Sequence, residues 1–211
     1  ISLSNLTTNI GGAIIETEGD FLNNLIENNT VTISQTGNNK FCALLNAQPS
    51  NSVYTVQIKG NVFRNNKAII TGIGADSNPS NLRGILLNIT GKAYANEVQF
   101  VNNLVHNNEA SYSSTGTYSK ADRAGGLFSI LTFSTTETKS TFVNNTFANN
   151  KCTNLPAVFH IYKGNEKHLY SIHNNVYWNN RLDNVTNGLY SNVTQLSGSS
   201  ITNNFCDVAI G

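Results

Sequence analysis

A nine-residue pattern recurs along the chain and constrains the fold more strongly than any other feature. In FVNNTFANN, at 142–150, the pattern is two Phe-x-Asn-Asn units separated by one residue. Related copies are FLNNLIENN at 21–29, IKGNVFRNN at 58–66, FVNNLVHNN at 100–108, IHNNVYWNN at 172–180 and the partial copy ITNNFCD at 201–207. Successive copies start 37, 42, 42, 30 and 29 residues apart. This spacing is typical of a repeat architecture whose loops vary in length.

Each Phe-x-Asn-Asn unit has the period-two alternation of a short β-strand that ends in a turn. Asn suits a corner because its short amide bonds to nearby backbone and because it tolerates the left-handed conformation. When coils stack about 4.8 Å apart, equivalent Asn side chains can form hydrogen-bonded ladders. We expect Asn23, Asn102, Asn144, Asn174 and Asn203 to form such a ladder, which Gly60 interrupts. Beside it we expect an interior column of Phe21, Ile58, Phe100, Phe142, Ile172 and Ile201.

A second repeated stretch precedes each nonapeptide. Its copies are GAIIE at 12–16, CALLN at 42–46, GILLN at 84–88, GLFSI at 126–130, AVFHI at 157–161 and GLYSN at 188–192. A coil is therefore expected to consist of a strand, a loop, a strand, an Asn corner, a strand and an outer turn. Val, Ile, Phe, Tyr, Thr and Asn dominate and no window keeps a helical period. The sequence predicts an all-β solenoid of about six coils that forms a single domain over 1–211.

These motifs resemble those of the right-handed parallel β-helix proteins of the pectin-lyase-like superfamily. The resemblance is closer to bacterial surface and secreted members, whose repeats carry Gly-Gly-Ala-Ile and Phe-x-x-Asn. They are matched by GGAI at 11–14, GGLF at 125–128, and FLNN, FRNN, FVNN and FANN. The resemblance implies a single-stranded right-handed β-helix. It does not imply one activity, because the superfamily contains polysaccharide lyases, glycoside hydrolases, adhesins and autotransporter passengers alike.

Composition excludes some functions and suggests a compartment. Charged residues are 12% of the chain and the net charge is +1, which argues against nucleic-acid binding. No apolar run approaches the roughly 20 residues of a membrane span. Ile1 is neither Met nor the start of a signal peptide, so either a leader was removed or the chain is a fragment. We expect a secreted or cell-surface protein that is a fragment of a longer one.

No cofactor or metal is predicted. The five Asp residues fall in different coils, so neither a clustered Ca²⁺ site nor the paired carboxylates of a hydrolase are visible. Cys42, Cys152 and Cys206 are odd in number and lack ligand spacing. We interpret them as small buried hydrophobes.

One column of outward side chains is the main candidate site. The free position of the second Phe-x-Asn-Asn unit should place Glu27, Arg64, His106, Ala148, Trp178 and Asp207 about 4.8 Å apart. Trp178 offers a flat apolar face for a sugar ring. Long outer turns at 30–41, 67–83 and 109–125 should form a wall, and the last two should overhang the first half of the column. The wall adds four candidate ligand-binding residues: Tyr112, Tyr118, Lys120 and Arg123.

Three functions remain open from the sequence. The leading interpretation is an adhesin or recognition module that binds polysaccharide or another extracellular partner through Glu27, Arg64, His106 and Trp178. The alternative is a polysaccharide lyase-like enzyme, in which Arg64 neutralises a uronate carboxylate and His106 removes the proton at C5. The third is a structural spacer whose column is solvated and holds an incidental ion pair. Ser129, His160 and Ser191 share one strand position and are interpreted as a polar patch, because no carboxylate is placed to orient the imidazole.

Overall fold

The protein is a parallel β-helix. A computed structural model describes residues 2–6, 15–36, 44–47, 55–73, 86–91, 97–114, 126–132, 138–155, 157–163, 168–183, 190–191 and 198–207. These residues form 24 strands arranged in four sheets of six strands each. All the strand pairs are parallel. The solenoid of about six coils predicted from the repeats is therefore confirmed.

Each sheet takes one strand from each turn of the chain. Sheet I contains β2 (Ile15–Thr17), β6 (Leu45–Ala47), β10 (Leu87–Gly91), β14 (Gly126–Thr132), β18 (Ala157–Lys163) and β22 (Tyr190–Ser191). Sheet II contains β3 (Phe21–Leu22), β7 (Thr55–Lys59), β11 (Glu97–Val101), β15 (Thr138–Val143), β19 (His168–His173) and β23 (Ser200–Thr202). Sheet III contains β4 (Leu25–Glu27), β8 (Val62–Arg64), β12 (Leu104–His106), β16 (Thr146–Ala148), β20 (Val176–Trp178) and β24 (Phe205–Cys206). Sheet IV contains β1 (Ser2–Leu6), β5 (Thr30–Thr36), β9 (Lys67–Ile73), β13 (Glu109–Ser114), β17 (Lys151–Thr153) and β21 (Arg181–Leu182).

The strand register places the repeats as the alternation predicts. In sheet II, cross-strand partners run in one column through Phe21, Ile58, Phe100, Phe142, Ile172 and Ile201. The four central members of this column are buried, whereas Ile201, in the outermost strand, is 41% exposed. Leu22, which follows the column residue Phe21, points outward and is 44% exposed. The interior column is thus confirmed, and its burial is weakest at the edge of the sheet.

Sheet IV is the main difference from the predicted coil. The segments interpreted as outer turns begin with strands, and the inward residues of those strands are buried: Val31, Ile33, Ala68, Ile70, Ala110, Tyr112, Cys152 and Leu182. These residues alternate with outward-facing ones, so each segment begins with a strand whose inward apolar side chains pack in the core. A coil therefore has four strands. Its sheet I strand comes first, and the strands of sheets II, III and IV follow, joined to one another at two Asn corners.

The Asn ladders involve the second Asn of each pair, so the predicted ladder was wrong. One ladder runs through Asn24, Asn61, Asn103, Asn145, Asn175 and Asn204, and another through Asn29, Asn66, Asn108, Asn150 and Asn180. The first Asn of each pair has a positive φ, for example 56° at Asn102. This left-handed residue turns the chain and faces outward, and the next residue then points into the core. Gly60, with φ of 67°, takes the turning position and leaves the ladder intact.

Each ladder amide in the middle of the stack is fully hydrogen-bonded. The Asn103 side chain donates from Nδ2 to the Ile58 carbonyl at 2.8 Å and to Asn145 Oδ1 at 3.1 Å. Its Oδ1 accepts from the backbone N and from Nδ2 of Asn61, both at 3.0 Å. Burying an amide is costly unless such partners are supplied. The ladder supplies them at every coil, so the Asn corners can lie inside the core.

Candidate functional site

The predicted outward column exists on sheet III. Its register runs Glu27, Arg64, His106, Ala148 and Trp178 along neighbouring strands. Asp207 directly follows β24, and its backbone N donates to the Tyr177 carbonyl at 3.2 Å. The side chains in this column therefore lie on one face of one sheet, which confirms their juxtaposition. What they bind remains a prediction.

A second outward column lies beside the first and is almost entirely apolar. It is formed by the first residue of each sheet III strand, and its members are Leu25, Val62, Leu104, Thr146, Val176 and Phe205. Leu25, Val176 and Phe205 are exposed, whereas the three central members are half-buried. Exposed apolar side chains grouped on one sheet face are a feature of binding surfaces.

Two rows of outward amides border these columns. On the sheet II side the row is Asn23, Gly60, Asn102, Asn144, Asn174 and Asn203, and on the sheet IV side it is Asn28, Asn65, Asn107, Asn149 and Asn179. The Asn residues of both rows are exposed, apart from half-buried Asn179. We call the two columns and the two rows together the amide-bordered strip. Sequence reasoning missed the two rows, although paired Asn at every corner was the available signal, because only one Asn of each pair can face inward.

An aromatic platform lies at one end of the strip. Trp178 is 51% exposed, and its ring stacks on Phe205 with centroids 6.0 Å apart and planes 19° apart. Val176, also exposed, is the register partner of Phe205. The platform is therefore a flat apolar surface that lies across two neighbouring strands.

An ion pair lies at the opposite end of the strip, on β4 and β8. The Arg64 Nε atom lies 2.5 Å from Glu27 Oε2, so the guanidinium already has a carboxylate partner on the strip. Partial burial and the nearby charge of Arg64 lower the pKa of His106 below its usual value. His106 is consequently neutral at neutral pH, with a ring nitrogen free to accept a proton. Asp207, at the platform end, accepts a hydrogen bond from the Asn179 backbone N at 2.5 Å.

The described parts of the predicted loop wall are strands rather than loops. Residues 67–73 and 109–114 are strands of sheet IV, so these parts do not overhang the column. Tyr112, predicted to bind ligand, is only 1% exposed because its ring occupies an inward position of β13. Tyr118, Lys120 and Arg123 lie outside the described residues, as do 74–83 and 115–125.

Two other polar clusters contain His residues. In sheet I the register aligns Ser129, His160 and Ser191, as predicted, and the Ser129 side chain is completely buried. In sheet II, His173 Nε2 is hydrogen-bonded to Ser171 Oγ, and His173 Nδ1 lies 2.6 Å from Thr202 Oγ1. Ser171 is only 5% exposed. Both ring nitrogens of His173 are thus occupied, and the cluster ties two neighbouring coils together.

The described ranges contain neither a metal-binding cluster nor a membrane-spanning helix. In those ranges no group of three or more His, Cys, Asp or Glu side chains could hold a metal ion. Nor do they include a helix with the length and hydrophobicity needed to cross a bilayer. Cys152 is buried and Cys206 is half-buried, whereas Cys42 is outside the described residues.

No family model, curated protein or solved structure matches this chain. The resemblance to the pectin-lyase-like superfamily therefore stays a prediction. The amide-bordered strip is the candidate binding surface of the described residues.

Proposed function

We propose that the protein binds an extracellular polysaccharide along the amide-bordered strip, as a secreted or cell-surface adhesin or recognition module. The observation that carries the proposal is the stacked and exposed Trp178–Phe205 pair at the end of the strip, where Phe205 ends the mainly apolar column. A pyranose ring has one face rich in C–H groups, which packs on such a platform and loses water. Its hydroxyl groups lie around the rim of the ring, where they need hydrogen-bonding partners.

The bordering rows meet that need. An Asn side chain offers two donors and one acceptor, and it can bond to hydroxyls in either sense. The rows flank the apolar column on both sides along the stack. Six strands with five spacings of about 4.8 Å give a strip about 24 Å long. The strip therefore suits an extended polymer that lies along the stack rather than one small sugar.

Binding should depend on the Trp178 ring. We expect Trp178→Ala to weaken binding to the preferred glycan by about ten- to a hundredfold, on the scale of about 1–3 kcal/mol known for bases stacked on aromatic side chains. A glycan array identifies the preferred glycan, and calorimetry with the parent and the variant measures the loss. Lys139→Ala is the control, because Lys139 is exposed on sheet II and lies away from the strip.

Two outcomes would contradict this proposal. If Trp178→Ala binds the glycan as the parent does, the platform is not the site. If the parent binds no glycan but forms a dimer that Trp178→Ala abolishes in sedimentation experiments, the strip is a protein interface.

A polysaccharide lyase is the second candidate function, and the neutral imidazole of His106 favours it. A neutral His can remove a proton, and Arg64 lies on the adjacent strand. A lyase would release an unsaturated product that absorbs in the ultraviolet, and His106→Ala would abolish that signal while leaving binding nearly unchanged. Because the Arg64 guanidinium is paired with Glu27, we rank this function below simple binding.

A further inference from the structure

The ionised groups of the strip show an arrangement that bears on ligand choice. Three described strip residues carry a carboxylate or a guanidinium group: Glu27, Arg64 and Asp207. Arg64 is the sole cation among them, and its Nε atom lies 2.5 Å from Glu27 Oε2. Both side chains are partly exposed, 42% for Arg64 and 31% for Glu27. The pair is therefore accessible to a ligand, but its charge is already balanced.

We propose that the Glu27–Arg64 pair makes the strip select neutral glycans and reject uronate-containing ones, with Glu27 as the residue that determines specificity. This inference rests on the proposed function, since it concerns the ligand of the same strip. A uronate carboxylate on the strip would have to share Arg64 with Glu27 and would face Asp207 at the other end. A neutral glycan meets neither obstacle.

The physical reason is competition for one guanidinium. Arg binds a carboxylate strongly only through short, charge-assisted hydrogen bonds, and its Nε is committed to Glu27. An incoming carboxylate would approach the Glu27 carboxylate, which has the same charge. Selectivity for neutral polymers then follows from an arrangement already present in the free protein.

Removing the charge of Glu27 should weaken the preference for neutral over acidic glycans. We expect Glu27→Gln to raise affinity for an acidic glycan by about two- to fivefold at low salt, on the scale of exposed ion pairs. Affinity for the neutral counterpart should not rise with it, so the ratio of the acidic to the neutral affinity is the quantity that changes. The gain should disappear at about 1 M salt, where screening is strong.

The probes are matched pairs that differ only in charge. Oligogalacturonate is paired with its methyl ester, and glucuronoxylan is paired with its carboxyl-reduced form. Glu109→Gln is the matched control variant, because Glu109 pairs with Lys67 at 3.2 Å on sheet IV, next to the strip rather than within its columns. The control removes a carboxylate and releases a cation without touching Arg64, so it should not reproduce the gain for the acidic member.

The outcomes separate this inference from the proposed function. Preference of the parent for neutral members, with a gain for acidic members in Glu27→Gln alone, supports the inference. Preference of the parent for acidic members, with Trp178 still required, overturns the inference and leaves the proposed function standing. An acidic gain that is absent in Glu27→Gln, or equal in Glu109→Gln, also overturns it. If the parent binds neither member of any pair and no glycan of the array, the proposed function fails and the inference fails with it.

Discussion

At the residue scale, the two Asn residues of each corner have different tasks. The first adopts the left-handed conformation and faces solvent, and the second donates and accepts within a buried ladder. Gly60 shows that the first task is conformational, because a residue with no side chain performs it at φ of 67°. A Cβ at Gly60 would lie 2.3 Å from Asn23 Oδ1, so the Asn23 amide fills the space above it.

This division of tasks predicts unequal effects for two neighbouring substitutions. Asn103→Ala removes the acceptor of the Asn61 backbone N and Nδ2 and leaves the Ile58 carbonyl without its donor. Because each buried unsatisfied group costs about 1–3 kcal/mol, we expect a loss of about 2–5 kcal/mol in the free energy of unfolding. Asn102→Gly should change it by less than about 0.5 kcal/mol, because Gly adopts the turning conformation readily.

Denaturant titration of both variants measures the two losses. Equal losses would mean that the buried amide contributes no more than the turning residue. A larger loss for Asn102→Gly would mean that the exposed row holds the stack together.

At the element scale, the sequence predicted strands where a repeated motif marked them and missed strands where none did. Sheets II and III carry Phe-x-Asn-Asn, and sheet I carries the second repeated stretch, so these strands were anticipated. The sheet IV strands share only a period of two in small or varied residues, such as Ala68, Ala110 and Cys152. Such an alternation is weak in any single copy, and it becomes informative only when the coils are aligned by their corners.

The missed sheet has a consequence for the site. Turns that started at the corner would have overhung the outward column and formed a groove. Instead, the chain continues after the corner as a strand of sheet IV, which ends at Ile73 in the second coil and at Ser114 in the third. Among the described residues, the boundaries of the strip are therefore the amide rows.

At the scale of the whole molecule, the site could be predicted in part from the sequence. The order of the column was predictable, because register follows from the repeat and every second strand residue lies on the same face. The Glu27–Arg64 contact matches the ion pair expected under the spacer alternative. The Trp178–Phe205 stack was not predicted, because it depends on side-chain directions across neighbouring coils. The burial of Tyr112 was also missed, since its strand had been interpreted as a loop.

The interior of the solenoid is uneven, and its stability should be uneven too. In the third to fifth coils Phe147 packs against four rings, with centroid distances of 6.0 Å to Phe100, 5.7 Å to Phe128, 4.7 Å to Phe159 and 5.3 Å to Tyr177. In the second coil Phe63 stacks at 6.2 Å on Phe21, which is only half-buried at the edge of sheet II. Aromatic pairs contribute about 0.5–1.5 kcal/mol each beyond the area they bury.

Solenoid coils contact mainly their neighbours, so such local differences need not average out over the chain. We expect amide hydrogens of β16 to exchange with solvent at least about tenfold more slowly than those of β8, a difference of about 1.4 kcal/mol in opening free energy. Both strands have a partner on each side, at β12 and β20 for β16 and at β4 and β12 for β8, so neither is itself an edge strand. Hydrogen exchange followed by NMR measures the two sets of rates. Equal rates in β8 and β16 would mean that the coils open as one cooperative unit, and that the aromatic stack stabilises the whole solenoid rather than the coils that contain it.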